Sequence, residues 1–271
     1  MNADFERRFG GLRRLYGVEG AQAVFDAHVV VVGIGGVGSW AAEALARSGV
    51  GRLTLIDMDH VAESNVNRQI HALTPTLGQS KAVAMCERIA LIHPGCRVNV
   101  IDDFVTAQNW SGHAESLALT HRHGAVIDAC DQVQAKTAMA AWAVAQRVPF
   151  VTVGAAGGKR RPQAIEVADL AEVTHDPLLA QLRYRLRRQH GASRTGRIGV
   201  SCVFSREPVA PPDASCEVDS PDGTLNCHGY GSVVSVTASF GMCSAGWVIN
   251  RLAERGANKL PALPNVTEMT L

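Results

Sequence analysis

His28-Val29-Val30-Val31-Val32 runs without a break into Gly33-Ile34-Gly35-Gly36-Val37-Gly38, and an alanine-rich segment over 39–47 follows at once. A β-branched run of this length reads as a buried strand. The glycines permit a tight turn and let a ligand approach the backbone closely. A helix starting there aims its unpaired N–H groups at whatever fills the turn. No other feature constrains the fold as strongly, because such a unit belongs in a parallel sheet covered by helices.

The chain repeats this alternation. Arg52–Ile56 reads as a second strand, ending in Asp57-Met58-Asp59, and 79–92 as a helix closed by Pro94-Gly95. Arg97–Ile101, residues 125–128 and Phe150–Val153 supply three more strands, with a helix over 132–147 before the last. The prediction is an α/β fold, a Rossmann-like, doubly wound, mostly parallel sheet. Residues 164–167 and 199–204 read as an antiparallel extension, 176–189 as a basic helix and 233–254 as a closing helix.

Polar residues after the turn decide what it holds. Asp57, at the end of the second strand, is placed to hold a ribose hydroxyl. Asn65 and Arg68 lie just beyond that strand, and Lys81 opens the next helix, so both cations can converge on phosphates. Asp128 and Asp131 flank the end of the fourth strand, where a carboxylate can hold Mg²⁺. A nicotinamide site needs neither the two cations nor the metal carboxylate, whereas a triphosphate site needs both.

Gly33 to Ser39, Ile56-Asp57-Met58-Asp59, Ser64-Asn65-Val66-Asn67-Arg68-Gln69, Lys81 and Asp128-Ala129-Cys130-Asp131 resemble the ubiquitin-activating-like adenylating enzymes. A second likeness covers nearly the whole chain. Arg8-Phe9-Gly10-Gly11, Arg14-Leu15-Tyr16-Gly17, Asn67-Arg68-Gln69-Ile70-His71-Ala72-Leu73, Asp102-Asp103-Phe104-Val105, Gly199 to Ser205 and Thr237-Ala238-Ser239-Phe240-Gly241 are similar to the tRNA threonylcarbamoyladenosine dehydratase family. The resemblance implies ATP-dependent cyclisation of N6-threonylcarbamoyladenosine in tRNA through an acyl-adenylate. It implies that Gly33, Gly35, Gly36 and Gly38 cradle ATP with Asp57, Asp59, Asn65 and Asp128 around it. Arg68 and Lys81 would neutralise charge, and Asp131 would ligate Mg²⁺. It further implies a homodimer in which Arg8 or Arg14 crosses into the partner's site. The runner-up is adenylation of the C-terminal glycine of a small ubiquitin-like sulfur carrier. A monovalent cation (Na⁺ or K⁺) and a cysteine-desulfurase or sulfur-acceptor partner are left open.

Composition narrows the rest. The formal net charge is only +1 over 271 residues, so clustered arginines stand out. Arg183, Arg185, Arg187, Arg188, Arg194 and Arg197 form one cluster, expected to meet tRNA backbone. Lys159, Arg160 and Arg161 form a second. Seven cysteines contain no CxxC pair, which predicts reduced thiols in a cytoplasmic protein and no zinc. Cys227 is the candidate if any thiol reacts. Residues 229–250 carry no charge but many serines and glycines, and read as a buried helix rather than a membrane span. The expected organisation is a single domain: a helical arm over 1–27, a nucleotide-binding half over 28–155, and a substrate-side half over 156–254. A mobile lid or crossover at 205–226 and a loose tail over 255–271 complete it.

Overall fold

The computed structural model describes residues 4–120, 123–213 and 230–257. Among the described residues seven strands form one sheet: β1 (His28–Val32), β2 (Arg52–Ile56), β3 (Arg97–Ile101), β4 (Gly124–Asp128), β5 (Phe150–Val153), β6 (Ile165–Asp169) and β7 (Ser201–Ser205). Their order is β3-β2-β1-β4-β5-β7-β6. Every pairing is parallel except β6 with β7. The order reverses between β1 and β4, and ligands of such sheets bind outside the carboxyl ends of the strands at that reversal.

Among the described residues eight α-helices accompany the sheet: α1 (Phe5–Phe9), α2 (Gly11–Phe25), α3 (Gly38–Arg47), α4 (Lys81–Ile92), α5 (Trp110–Ser116), α6 (Val133–Gln146), α7 (Pro177–Gln189) and α8 (Val234–Ala257). Strand residues alternate between two cores. Val29, Val31, Leu53, Leu55, Ala125 and Ile127 face α3, α4 and α8. Val30, Val32, Ile56, Val126, Phe150 and Phe204 face α5, α6 and α7. Both faces are covered, which is why β1 and β4 read as unbroken apolar runs.

Three departures from the expected elements have local causes. Helix α4 starts at Lys81 rather than 79 because Gln79 and Ser80 are extended: Val61 N donates to Gln79 O at 2.8 Å, and Ser80 bridges His60. Helix α5 is additional to the expected elements, since its seven residues, Gly112 among them, carry little periodic signal. Reciprocal bonds between Thr106 and Asn109 cap it, and buried Trp110 anchors it. Helix α8 runs to Ala257, three residues into the segment expected to be loose; residues beyond 257 lie outside those described. Among the described residues no helix is long and apolar enough to cross a membrane. Instead α8 buries Val236, Phe240, Val248 and Leu252 against its neighbours.

Candidate nucleotide site

The glycine turn closes at the carboxyl end of β1. Gly33 adopts φ +85°, and a Cβ there would lie 2.9 Å from the Ala129 carbonyl. A Cβ on Gly38 would strike the Gly33 carbonyl oxygen. These two glycines are required by the protein's own backbone. Gly35 differs, because a Cβ there would meet nothing within 4 Å. Protein packing therefore does not explain Gly35, and the open space lies at the N-terminus of α3. The Ser39 hydroxyl in the first turn of α3 is buried with no partner among the described residues. An orphan hydroxyl and an open cradle at a helix N-terminus are what an anion at this turn would use.

Asp57 ties the turn to β2. Its Oδ2 accepts from Ile34 N at 2.5 Å and its Oδ1 from Asp59 N at 2.8 Å. Burial raises its pKa, while these two backbone donors pull it back down. Each oxygen keeps a second lone pair for a hydroxyl. The buried Asn65 uses its Oδ1 to cap a short 3₁₀ turn at Ala62 N, leaving its amide N–H₂ only a weak 3.5 Å contact with Ser64.

The structure brings both cations to this edge. Arg68 lies against the turn: its Cγ is 3.3 Å from the position of a Gly36 Cβ, and the Thr237 methyl is 3.4 Å from the same position. Its guanidinium donates to Ser64 O at 2.6 Å, and its carbonyl is held by the Trp40 indole at 3.0 Å. Lys81, buried at the start of α4, donates to Asp59 Oδ2 at 2.7 Å. Asp59 is thus the resting partner of Lys81.

The two aspartates after β4 separate. Asp128 is fully buried and saturated: it accepts from Thr152 Oγ1 at 2.6 Å, Lys136 Nζ at 3.1 Å and Cys130 Sγ at 3.1 Å. Burial pushes the Lys136 ammonium down, but Asp128 outweighs that and the net shift is upward. Asp128 therefore braces the strand end rather than presenting a ligand oxygen. Asp131 is exposed, with no hydrogen bond or ion pair among the described residues. Among the described residues no three metal-ligating side chains converge.

Other expected residues fall elsewhere. Arg8 donates to the Ile92 carbonyl at the end of α4, on the opposite edge of the sheet, and Arg14 is exposed on α2. Neither joins the glycine turn of its own chain. Cys227 lies outside the described residues, as do 214–226 of the expected lid. The lid's first part is fastened: Ala210 N bonds Gly158 O, and Lys159 Nζ donates to the carbonyls of His175, Ser205 and Glu207. Lys159 is consequently buried, which removes it from the surface cluster and leaves Arg160 and Arg161.

The arginine segment after β6 also divides. Arg183 donates to the Leu170 and Val173 carbonyls, and Arg187 to those of Ser193 and Arg194, so both tie α7 to its loops. Arg188 stacks near Tyr184, Arg185 is half-buried, and Arg194 and Arg197 are exposed. Sequence reasoning missed Lys136, Thr152 and Asp176. Asp176 caps α7 at Leu179 N and also accepts from Ala155 N at 2.9 Å. A lysine inside an otherwise apolar helix was the available signal for Lys136.

The ThiF family model matches residues 8–270. The tRNA threonylcarbamoyladenosine dehydratase of Escherichia coli is 44% identical over 94% of this chain and 97% of its own length. That of Haemophilus influenzae is 41% identical over 93% and 95%. A crystal structure of the E. coli dehydratase in complex with ATP superposes with a TM-score of 0.82, covering 94% of this chain and 97% of that one. The chain belongs to the ThiF family, and within it groups with the tRNA threonylcarbamoyladenosine dehydratases.

Proposed function

We propose that this protein is an ATP-dependent dehydratase that converts N6-threonylcarbamoyladenosine in tRNA to its cyclic form. The observation that carries the reading is similarity along the whole chain to dehydratases, including the substrate-side strands β6 and β7. The runner-up, a carrier-protein adenylyltransferase, would share the glycine turn and differ on that side.

In this reading the threonyl carboxylate attacks the α-phosphorus of ATP and pyrophosphate leaves. The carbamoyl group then closes on the acyl carbon, and AMP departs with one carboxylate oxygen, so the nucleoside loses one water. The attacking carboxylate is already ionised, and no nucleophilic side chain is required. The protein supplies position and charge. Gly35 leaves room for phosphate beside the α3 N-terminus, and Asp57 holds the ribose. Asn65 offers its free amide N–H to phosphate. Arg68 is held against the turn for the phosphates, and Lys81 exchanges Asp59 for them. Mg²⁺ would take Asp131 as its single protein carboxylate and otherwise phosphate oxygens and water, a usual arrangement for this ion; it would screen the charge of the leaving pyrophosphate. Arg8 or Arg14 from a second copy would complete the site, since neither reaches it in its own chain. Arg185, Arg188, Arg194 and Arg197 would attract the tRNA backbone, with Arg183 and Arg187 fixing the segment that carries them.

The test is mass spectrometry of nucleosides from tRNA carrying threonylcarbamoyladenosine, incubated with the protein, ATP and Mg²⁺. ATP-dependent loss of one water is the expected result. An unchanged nucleoside, with pyrophosphate released only when a small carrier protein is added, would select the runner-up.

A further inference from the structure

A second group of arginines lies on the amino edge of the sheet, away from the glycine turn. A groove of about 420 Å³ runs between the end of α6, the first residues of β5 and β7, and the last turns of α8. Arg147, Arg251 and Arg255 line it with Trp247 and Glu254. Arg251 sits over the Trp247 ring at 5.5 Å and donates to Glu254 at 2.9 Å. Arg255 donates to the Arg147 carbonyl at 2.7 Å.

Single arginines at helix C-termini are ordinary, because the terminal carbonyls carry partial negative charge. Here the guanidinium groups come from helices on opposite faces of the sheet and meet in one groove, with Glu254 the carboxylate among its described lining residues. The groove also continues into the cluster after β6. Gly199 and Ser201 line it, Ser201 pairs in register with Asp169, and Asp169 faces Arg197 at 3.8 Å. Arginines thus stand along the amino edge from Arg197 to the end of α8. Both stretches are separate in sequence and meet only in the fold.

We propose that this arginine–tryptophan groove binds RNA phosphate backbone, so that the tRNA body lies along the amino edge while its modified adenosine occupies the crevice at the carboxyl edge. This rests on the dehydratase reading. A five-residue strand spans about 17 Å, and α7, which connects the two edges, about 20 Å. A nucleotide substrate alone would not reach across that separation, whereas a folded RNA does. The Trp247 ring fixes one face of the Arg251 guanidinium, and the edge donors not taken by Glu254 are left for phosphate oxygens, a geometry suited to arginine.

The test is the affinity of full-length tRNA over a series of salt concentrations for the double variant Arg147→Asn, Arg251→Gln. Asparagine tolerates the left-handed φ of +55° at Arg147. The expected result is a roughly tenfold weaker affinity, with the salt slope reduced by about 1 for each phosphate left without its arginine. ATP affinity should stay at the wild-type value, KM for tRNA should rise, and kcat should hold. Arg251→Lys, which keeps the charge, should retain most of the slope. Unchanged affinity and slope in the double variant would overturn the proposal, and a simultaneous shift to a smaller sedimenting particle would assign the groove to an interface between copies. Failure of the dehydratase reading would look different: the wild type itself would lack salt-dependent tRNA affinity, which would overturn both.

Discussion

Asp128 and Asp131 stand three residues apart at the end of one strand, yet their surroundings give them different work. Asp128 neutralises a buried ammonium, and removing one member of such a pair costs about 3–5 kcal/mol. Asp128→Asn should therefore lower stability by that order in urea titration, losing activity together with folded protein. Asp131→Asn should leave the urea midpoint in place and reduce ATP turnover, with the loss growing as Mg²⁺ is lowered. Equal stability of the two variants would contradict the assignment. Arg68→Ala and Lys81→Ala should abolish pyrophosphate release while keeping the wild-type circular dichroism spectrum, since Arg68 lies against an open turn and Lys81 pairs with an exposed carboxylate. Full activity in either would remove it from the phosphate site.

Among the elements, the glycine turn can be dissected. Gly38→Ala forces a methyl group against the Gly33 carbonyl and should unfold or strongly destabilise the protein. Gly35→Ala places its methyl in open space, so the melting temperature should hold while ATP affinity falls at least about tenfold, each tenfold being about 1.4 kcal/mol. A Gly35→Ala protein with wild-type affinity would show that phosphate does not approach there. Helix α7 depends on Asp176, which satisfies two backbone N–H groups, Leu179 in the helix and Ala155 in the neighbouring loop. Asp176→Ala should cost about 2–3 kcal/mol, a lost cap plus an orphaned donor, read as a lowered thermal midpoint.

Across the whole molecule, acid sensitivity follows from buried histidines. His71 has neither ring nitrogen bonded among the described residues, and burial, with Lys81 and Arg88 nearby, lowers its pKa to about 4. His28 is lowered to about 4 by burial and Arg52. Between the ordinary 6.5 and about 4 the unfolded chain binds more protons than the folded one. Stability is therefore complete above about pH 6.5 and declines as pH falls towards about 4. For His71 this is on the order of 2 kcal/mol at about pH 5. Asp57 and Asp176, raised by burial, act in the opposite sense from 3.8 upward and so soften this decline. Urea midpoints should drop from about pH 7 to about pH 5, and His71→Leu should flatten that slope. A midpoint independent of pH over this window would contradict the burial of a neutral imidazole.

Much of this architecture was legible in the chain because its signals are local. Unbroken apolar runs, glycines at a strand end and spaced helices determine a doubly wound sheet and place Gly33, Asp57, Arg68 and Lys81 near its carboxyl edge. Period and turn chemistry act over a few residues, so they survive in a linear reading. Contacts between distant segments do not. Which aspartate after β4 stays open depended on Lys136 and Thr152, eight and twenty-four residues away from Asp128. Whether Lys159 was a surface charge depended on the carbonyls of His175, Ser205 and Glu207, distant in sequence. The line of arginines from Arg197 to Arg147 and Arg251 exists only because β5 and β7 are neighbours in the sheet. Charge in a sequence has a position but no side, and burial, pairing and shared edges give it one.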